Sequence, residues 1–228
     1  MMEEDNALRQ EELPDCLDAQ ELRVLAVLAE KEALTPDAYP MSLNALTNGC
    51  NQLSSRDPVM SLTEAEVQQT LERLLQEKFV TEVRQAGARV AKYEHRLRIK
   101  WLLEQDKLAV MTVLMLRGAQ TAGEIRTRSG RLYEFSSIAE VETCLQFLMD
   151  KYPPLVARLP RAPGTKEARY MHLLSGDVEH VQDAPVQHDA VGGSRNDRIA
   201  QLEVEVVALR QEIAELQKQF HQCREQFE

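Results

Sequence analysis

The sequence predicts a mainly α-helical protein with small β-hairpins, an α+β fold in which one structural unit occurs twice. Three observations predict this fold: a shared helix-start signature, two stretches that alternate apolar and polar residues around a turn, and a helix pattern that recurs along the chain. The chain has 228 residues, of which 43% are hydrophobic and 28% charged. This composition is typical of a globular protein that buries one or two cores.

Four segments carry the signature of a helix start, in which a capping side chain is followed three positions later by glutamate. The pairs are Asp18 with Glu21, Thr63 with Glu66, Thr121 with Glu124, and Ser137 with Glu140. In such a capping box, the first side chain accepts a hydrogen bond from the backbone N–H of the glutamate, and the glutamate accepts one in return. Each pair therefore predicts the beginning of a helix.

The first unit contains three predicted helices and a hairpin. The helix after Asp18 has a broad apolar face that includes Leu22 and Leu34, and the short second helix has Leu43, Leu46, Cys50 and Leu53 on one side. After the Thr63 helix, "FVTEVRQ" and "RVAKYEH" alternate apolar and polar residues around Ala86-Gly87-Ala88. This alternation predicts a two-stranded β-hairpin with an exposed basic tip.

The second half of the chain repeats this order. "LAVMTVLMLRG" corresponds to "LRVLAVLAE", and residues 121–133 supply a second short helix. At an offset of 74 residues, Ala65, Glu66, Val67, Leu71 and Leu74 recur as Ala139, Glu140, Val141, Leu145 and Leu148. "PLVARLP" and "EARYMHLL" predict the second hairpin.

Three helices followed by a β-hairpin form a winged helix, a relative of the helix-turn-helix. We therefore expect two tandem winged-helix domains, at residues 17–100 and 101–175, preceded by a flexible acidic segment at 1–16. A helical bundle is the alternative, but two hairpins in corresponding places favour winged helices. The connector "RLRIKWLLEQD" is either a rigid helix or a hinge, and Trp101 within it is predicted to lie in the core between the domains.

The C-terminal part of the sequence predicts a linker and a coiled coil. Residues 176–197 are poor in large apolar side chains and contain Pro185 and Gly192-Gly193, a pattern typical of a flexible linker. Residues 198–228 then hold a heptad seam that predicts a parallel homodimer. The seam consists of Ile199, Leu202, Val206, Leu209, Ile213, Leu216 and Phe220. The alternative is an amphipathic helix that folds back on its own body.

Four longer strings carry a family resemblance: "YPMSLNALTNGCNQLSSRDPV", "RVAKYEHRL", "LRGAQTAGEIRTRSGRLYEF" and "LVARLPRAPGTKEARYMHLLSGD". Over roughly residues 17–177, the sequence resembles the YceH family of bacterial proteins. This resemblance implies a tandem pair of winged-helix domains in a soluble bacterial protein. It implies no established activity and no catalytic or binding residues.

The sequence favours a non-enzymatic protein without a metal or other cofactor. No P-loop, G-x-S-x-G, G-x-G-x-x-G or H-E-x-x-H string occurs, and the cysteines form no C-x-x-C pair. Cys50 and Cys144 lie on apolar helix faces, where packed thiols are expected. No apolar run approaches the ~18 residues of a membrane span, so we expect a cytoplasmic protein with free thiols.

Charge is unevenly distributed along the chain. The formal net charge is −10 at pH 7, but residues 79–135 contain eleven basic and six acidic residues, a net +5. Binding to nucleic acid responds to such local basic surface. The candidate residues for nucleic-acid binding are Arg84, Arg89, Lys92, Arg96 and Arg98 near the first hairpin, Arg126, Arg128 and Arg131 near the second short helix, and Arg158, Arg161, Lys166 and Arg169 near the second hairpin. The alternative is that these cations pair with the protein's own carboxylates.

A row of uncharged amides, Asn44, Asn48, Asn51 and Gln52, lies along the short second helix. Such amides either read base edges, as amides do at adenine, or fix neighbouring loops. The third helix of each unit is predicted to be acidic, which opposes its entry into a DNA groove because carboxylates repel phosphates.

Two functional hypotheses follow from these patterns. The first is a dimeric winged-helix protein that binds DNA, with a regulatory role, through its basic hairpins. The second is an interaction scaffold that binds protein without direct DNA contact, similar in architecture to the ScpB-type partners of chromosome condensation complexes. The base rate of the fold favours DNA, whereas the net charge and the acidic third helices favour a protein partner.

Overall fold

The structure is a computed structural model that describes residues 16–84, 90–160 and 167–176. All of these residues belong to one compact unit, residues 1–179, and a second unit comprises residues 180–228. Most of the predicted acidic segment, almost all of the linker, and the coiled coil with its seam from Ile199 to Phe220 lie outside the described residues. Within the described part the fold is mixed α+β, as expected.

The first repeat runs from α1 to α4. Its elements are α1 (Ala19–Leu34), a 3-10 turn (Pro36–Ala38), β1 (Met41–Ser42), α2 (Leu43–Cys50), α3 (Glu64–Gln76), β2 (Val80–Val83), β3 (Lys92–His95) and α4 (Leu97–Lys100). As far as its last strand, the second repeat has the same order of helices and strands, without the 3-10 turn. Its elements are α5 (Gln105–Arg117), β4 (Gln120–Thr121), α6 (Ala122–Ser129), α7 (Ile138–Met149), β5 (Val156–Arg158) and β6 (Arg169–His172).

Each hairpin is extended by a third strand that the sequence did not predict. The two antiparallel sheets have the strand orders β1-β3-β2 and β4-β6-β5. In the first, Met41 pairs with Tyr93 and Val80 with His95; in the second, Gln120 pairs with Tyr170. The prediction of two-stranded hairpins was therefore incomplete, because a strand of two residues is too short to show an alternating pattern.

Three of the four predicted capping boxes are present with both hydrogen bonds, at Asp18, Thr63 and Thr121. The fourth differs. Ser137 accepts the predicted bond from the Glu140 backbone N–H, but the Glu140 carboxylate accepts from the backbone N–H and hydroxyl of Ser136 instead. The helix start was thus predicted correctly, and the reciprocal bond was displaced by one residue.

The core is organised around α1 and α5, which pack against each other and join the two repeats. Residues Glu21 to Glu30 of α1 and Leu108 to Leu116 of α5 are buried around the whole helix circumference. The sequence predicted a single apolar face on α1. Burial is wider because α2 and α3 cover one side while α5 covers another. Leu53, predicted to share the apolar side of α2, is 84% exposed, because that helix ends at Cys50.

The connector between the repeats contains the short helix α4 and a turn. Trp101 is buried and packs edge-on against Phe79 at a centroid distance of 5.8 Å. Arg98 then connects the repeats, because its guanidinium contacts Glu32 of α1 and also donates to the side-chain oxygen of Gln105 in α5. The Glu32 carboxylate also lies 3.3 Å from Nε2 of His95, and this hydrogen bond is the main cause that lowers the pKa of Glu32.

Gly49 provides the close approach of α2 to α1. A Cβ atom at this position would lie 2.6 Å from Cγ1 of Val27, a side chain that is fully buried. Since β-branched valine has little freedom to rotate in a helix, the clash would be relieved only by moving one helix away from the other.

We expect Gly49→Ala to lower the free energy of unfolding by about 1–3 kcal/mol because of this overpacking. The matched control is Gly123→Ala in α6, where the nearest atom to an added Cβ is Thr121 Oγ1 at 3.9 Å. The control should be neutral or stabilising, since alanine is the better helix former. Urea denaturation of both variants measures the difference, and equal stabilities would contradict this account of the α1–α2 contact.

The C-terminal end of α3 has a lysine where a glycine is usually found. Lys78 has a φ of +62°, its backbone N–H donates to the Leu75 carbonyl, and the Phe79 N–H donates to the Leu74 carbonyl. These two bonds form a Schellman motif, which favours glycine at the left-handed position because glycine has no Cβ to clash.

We expect Lys78→Gly to raise the free energy of unfolding by about 1 kcal/mol, because glycine removes the left-handed strain. Lys78→Ala is the control for loss of the charge alone and should leave stability close to wild type, since alanine retains the strain. Thermal or urea denaturation compares the three chains. A destabilised glycine variant would show that the lysine side chain makes a stabilising contact in the folded chain.

Candidate functional site

The outward face of α3 is acidic and rich in amides. Its solvent-facing residues include Gln69, Glu72 and Gln76, and Glu72 accepts a hydrogen bond from Gln68 at 3.1 Å. Arg73 is the one basic residue between Glu64 and Gln76, and it is directed back towards α1. Its guanidinium donates to Glu21 and to Asp18, each at 2.7 Å. The outward face of α3 therefore presents negative charge without a cation.

The corresponding face of α7 contains no lysine or arginine. Glu142, Thr143 and Gln146 are exposed on it, and Gln146 donates to Asp150 at 2.8 Å. Phe147 lies at the edge of this face, with the ammonium groups of Lys107 and Lys151 at 5.3 and 5.5 Å from its ring centre. Both third helices thus present the acidic surface that the sequence predicted.

The basic residues predicted near the first sheet are mostly engaged within the chain. Arg84, which follows β2, forms an ion pair with Glu82 of that strand, and Arg98 contacts Glu32 at 3.1 Å. Arg96 is exposed and donates to the Thr81 hydroxyl at 3.3 Å. In residues 16–84, 90–160 and 167–176, no hydrogen bond or ion pair of the Lys92 side chain is found.

The basic residues of the second repeat follow the same pattern. Arg126 donates to the carbonyls of Phe135 and Ser136, and Arg128 pairs with Glu124 at 3.4 Å. Arg169 donates to the Ala119 carbonyl at 2.8 Å and also lies 3.7 Å from Glu124. Arg131 and Arg158 are exposed and make no hydrogen bond or ion pair with any described residue. Arg89, Arg161 and Lys166 lie outside the described residues.

The amide row holds the loop that follows α2. The Asn51 side chain donates to the Leu62 carbonyl and accepts from the Leu62 N–H, both at 2.7 Å. Asn44 donates to Glu64 at the start of α3, and Asn48 donates to Asn44. Gln52 accepts from the Arg56 guanidinium at 2.8 Å. Asn51 and Gln52 thus contact residues of the loop, as the loop-fixing interpretation expects, whereas Asn44 contacts α3 and Asn48 contacts Asn44.

Two buried arginines hold the same loop against α1. Arg56, whose side chain is fully buried, donates to both carboxylate oxygens of Glu30 at 3.2 and 2.6 Å. Arg23 donates to the carbonyls of Cys50 and Pro58 at 3.1 and 2.6 Å. The Asp57 N–H donates to the Leu116 carbonyl of α5, so this loop also contacts the second repeat. Neither arginine was predicted from the sequence to be a site residue.

An open groove lies beside the end of α3, between β2 and α4. It has a volume of about 480 Å³ and is lined by Leu75, Lys78, Val80, Thr81, Glu82, Arg96, Ile99 and Lys100. Lys78 and Ile99 were not predicted as site residues. The sequence does contain a signal for Lys78. No glycine follows α3, so a residue with a side chain must take the left-handed position at the end of that helix.

The two buried thiols, Cys50 and Cys144, are poorly suited to nucleophilic chemistry. Burial raises the pKa of Cys50 to about 12. Burial, together with its hydrogen bond to Asp106 at 3.2 Å, raises the pKa of Cys144 to about 12. Among the described residues, no group of three or more His, Cys, Asp or Glu side chains is arranged to hold a metal ion.

His172 is buried at the end of β6, and its Nδ1 atom makes no hydrogen bond to any described residue. His95 ends β3 in the same way, but it has Glu32 as a partner. When "LAVMTVLMLRG" is aligned with "LRVLAVLAE", the residue that corresponds to Glu32 is Gly118. The second repeat therefore has no carboxylate at the equivalent position. Burial lowers the pKa of His172 to about 4.

Because the unfolded chain binds a proton at His172 near pH 6.5 and the native chain resists it, stability should fall as pH decreases from 6.5 towards 4. Between pH 7 and pH 5 we expect this histidine to reduce the free energy of unfolding by about 2 kcal/mol. His172→Phe should remove that part of the pH dependence, whatever its absolute stability. Urea denaturation at both pH values checks this, and identical pH dependence in the two chains would contradict it.

No helix among the described residues combines the length and the apolar character that crossing a bilayer requires.

Comparison with known proteins shows that this chain is similar in sequence to bacterial proteins of unknown function. The family model described as "Protein of unknown function, DUF480" matches residues 17–165. A UPF0502 protein from Janthinobacterium sp. (strain Marseille) is 71% identical over 212 residues, which cover 92% of this chain and 91% of the relative. A UPF0502 protein from Azoarcus sp. (strain BH72) is 53% identical over 214 residues, covering 93% and 94% of the two chains.

Proposed function

Since the chain belongs to the DUF480 family of uncharacterised bacterial proteins, we propose that it is a non-enzymatic interaction protein whose two repeats bind a protein partner. This membership also confirms the resemblance to the YceH family. The observation that carries the proposal is the charge of the third helices, which present carboxylates and amides outward and no outward cation.

The winged-helix arrangement is part of this proposal. The order of helix, short strand, two helices and two strands in each repeat is that expected of a winged helix. In helix-turn-helix proteins that bind DNA, the recognition helix lies in the major groove. Glu72 of α3 and Glu142 of α7 would then lie close to phosphates, where like charges repel. A protein partner removes this conflict.

The internal contacts of the basic residues support the same conclusion. Of the nine described candidates, five already contact a carboxylate or a carbonyl of the chain. A phosphate would have to compete with these contacts, which reduces the gain from each new one. We further propose that the predicted coiled coil pairs two chains in the cytoplasm, so that a dimer offers each surface twice.

DNA binding through the hairpins is the second candidate. It is favoured by the exposed Arg158 and by Lys92, which are not engaged by described residues. Such isolated cations would provide phosphate contacts without reading sequence.

The two candidates predict different responses to salt. We expect the full chain at micromolar concentration not to bind a labelled random-sequence duplex at low salt, because the outward helix faces repel phosphates. Fluorescence anisotropy across a salt series measures this. Affinity that falls steeply with salt and weakens in the double variant Lys92→Ala/Arg158→Ala would overturn the proposal in favour of DNA.

The protein partner itself is testable in extract. Affinity capture of the chain from a native bacterial extract, with and without nuclease, should retain a stoichiometric protein after nuclease treatment. That protein, once purified, should bind the chain directly in a reconstituted complex. Co-purification that disappears with nuclease would contradict the proposal, because nucleic acid would then be the common ligand.

A further inference from the structure

We propose that the groove lined by Leu75, Lys78, Val80, Arg96, Ile99 and Lys100 binds an acidic protein segment that carries a bulky apolar side chain. This inference rests on the proposed function and names the chemistry of the partner. The groove volume of about 480 Å³ lies within the ~300–1,000 Å³ range of ligand pockets.

One large aliphatic side chain that lines this groove is exposed to solvent, and a second exposed one follows it in the sequence. Ile99 lines the groove and is 64% exposed, and Leu102, three residues later, is 77% exposed. Single exposed apolar residues are common on protein surfaces, but Ile99 occurs where Leu75 and Val80 line the same groove and form an apolar floor. An apolar side chain of a partner would remove water from Ile99 and from that floor, which is favourable.

The charge that surrounds this apolar floor is positive. Lys78 and Arg96 line the groove together with Lys100, whose ammonium donates to the Glu77 carbonyl and lies 3.7 Å from the Phe79 ring centre. The one acid among the lining residues, Glu82, is already paired with Arg84. No hydrogen bond or ion pair of Lys78 occurs with any described residue, and Arg96 contacts only the neutral Thr81 hydroxyl among them. On a chain with a net charge of −10, this local surface complements carboxylates.

The groove is a feature of the first repeat and does not follow from the fold alone. The helix α4 that forms one of its walls follows β3, whereas residues 173–176, described after β6, contain no helix. The position that corresponds to Lys78 in the second repeat is Tyr152. A surface that the fold generates automatically would be expected in both repeats.

A left-handed backbone conformation occurs at Lys78, which lines the groove, and another at Leu102, two residues after the end of α4. Lys78 has a φ of +62° and Leu102 a φ of +50°, and neither is a glycine. Such strain persists where the surrounding structure maintains it, and it is found preferentially at binding sites. In Lys78 the strained residue is also a groove-lining cation, and glycine in its place would relieve the strain but remove the charge.

The test uses a library of random twelve-residue peptides displayed on phage and selected against the full-length chain. We expect enriched peptides to share acidic residues on both sides of a bulky apolar residue. The affinities of synthetic versions are then measured by fluorescence anisotropy against wild type, Lys78→Gly/Ile99→Ser, and the matched control Arg158→Ser/Ile138→Ser. The control removes one cation and one exposed isoleucine from the second repeat.

We expect the groove variant to weaken peptide binding by at least about tenfold and the control by less than about twofold. Because Ile99 is exposed and glycine suits the position of Lys78, the groove variant should fold at least as stably as wild type. Unfolding curves recorded on the same preparations verify this. Lost binding in a stable variant then reports on the groove and not on folding.

Three results would overturn the inference. If no peptides are enriched, or if the enriched peptides lack acidic residues, the partner is not an acidic segment of the proposed kind. If the peptides bind the groove variant and the control variant equally, the groove is not their binding site, while the proposed protein-binding function still stands. Binding of duplex DNA or of anionic phospholipid vesicles that is lost in the groove variant would show that the groove recognises a polyanion, and the DNA result would also contradict the proposed function.

Discussion

The packing of α1 against α5 fixes the positions of both repeats. Each of these helices is buried around its circumference over most of its length, so neither repeat completes its core without the other. The loop after α2 strengthens this junction, because the buried Arg56–Glu30 pair holds it to α1 while the Asp57 N–H donates to α5. Removing one partner of such a buried pair is costly, since it leaves an unpaired charge in the core.

Many polar residues near this junction form hydrogen bonds within the chain. Arg23 and Asn51 hydrogen-bond to carbonyls of the loop, and Arg98 connects Glu32 with Gln105 across the repeats. Residues that appear in the sequence as a basic or polar surface are therefore largely structural. The charge that remains outward is acidic on α3 and α7 and basic beside α4, and the proposal of an acidic protein segment as ligand rests on this distribution.

The helices were predictable from sequence because their starts carry local signals. Asp18, Thr63 and Thr121 form the capping boxes that their spacing predicts, and the apolar periodicity gives the buried face of α3. The short strands β1 and β4 were not predictable, since their pairing depends on distant residues such as Tyr93 and Tyr170. The second contact surface of α1 was also hidden, because nothing local in the sequence identifies α5 as its neighbour.

The candidate site was less predictable than the fold. Counting cations along the chain identified Arg84, Arg98 and Arg169 but could not show which carboxylate or carbonyl each would meet in space. The acidic character of the third helices could be predicted from the sequence alone, because it depends only on their composition and on the helical period. The groove combines residues from α3, β2 and α4 that are separated by more than twenty positions, so only the folded chain brings Lys78 and Ile99 together.

The central claim is that the basic, apolar groove binds a protein segment and that the acidic outward faces of α3 and α7 repel nucleic acid. Backbone amide NMR of the isotopically labelled full chain, titrated in parallel with a selected acidic peptide and with duplex DNA, tests it most directly. The account predicts that the peptide shifts the amide signals of Lys78, Thr81 and Ile99 while the duplex shifts none of the α3 or α7 signals. Saturable shifts at Glu72 and Gln146 on adding duplex would contradict it.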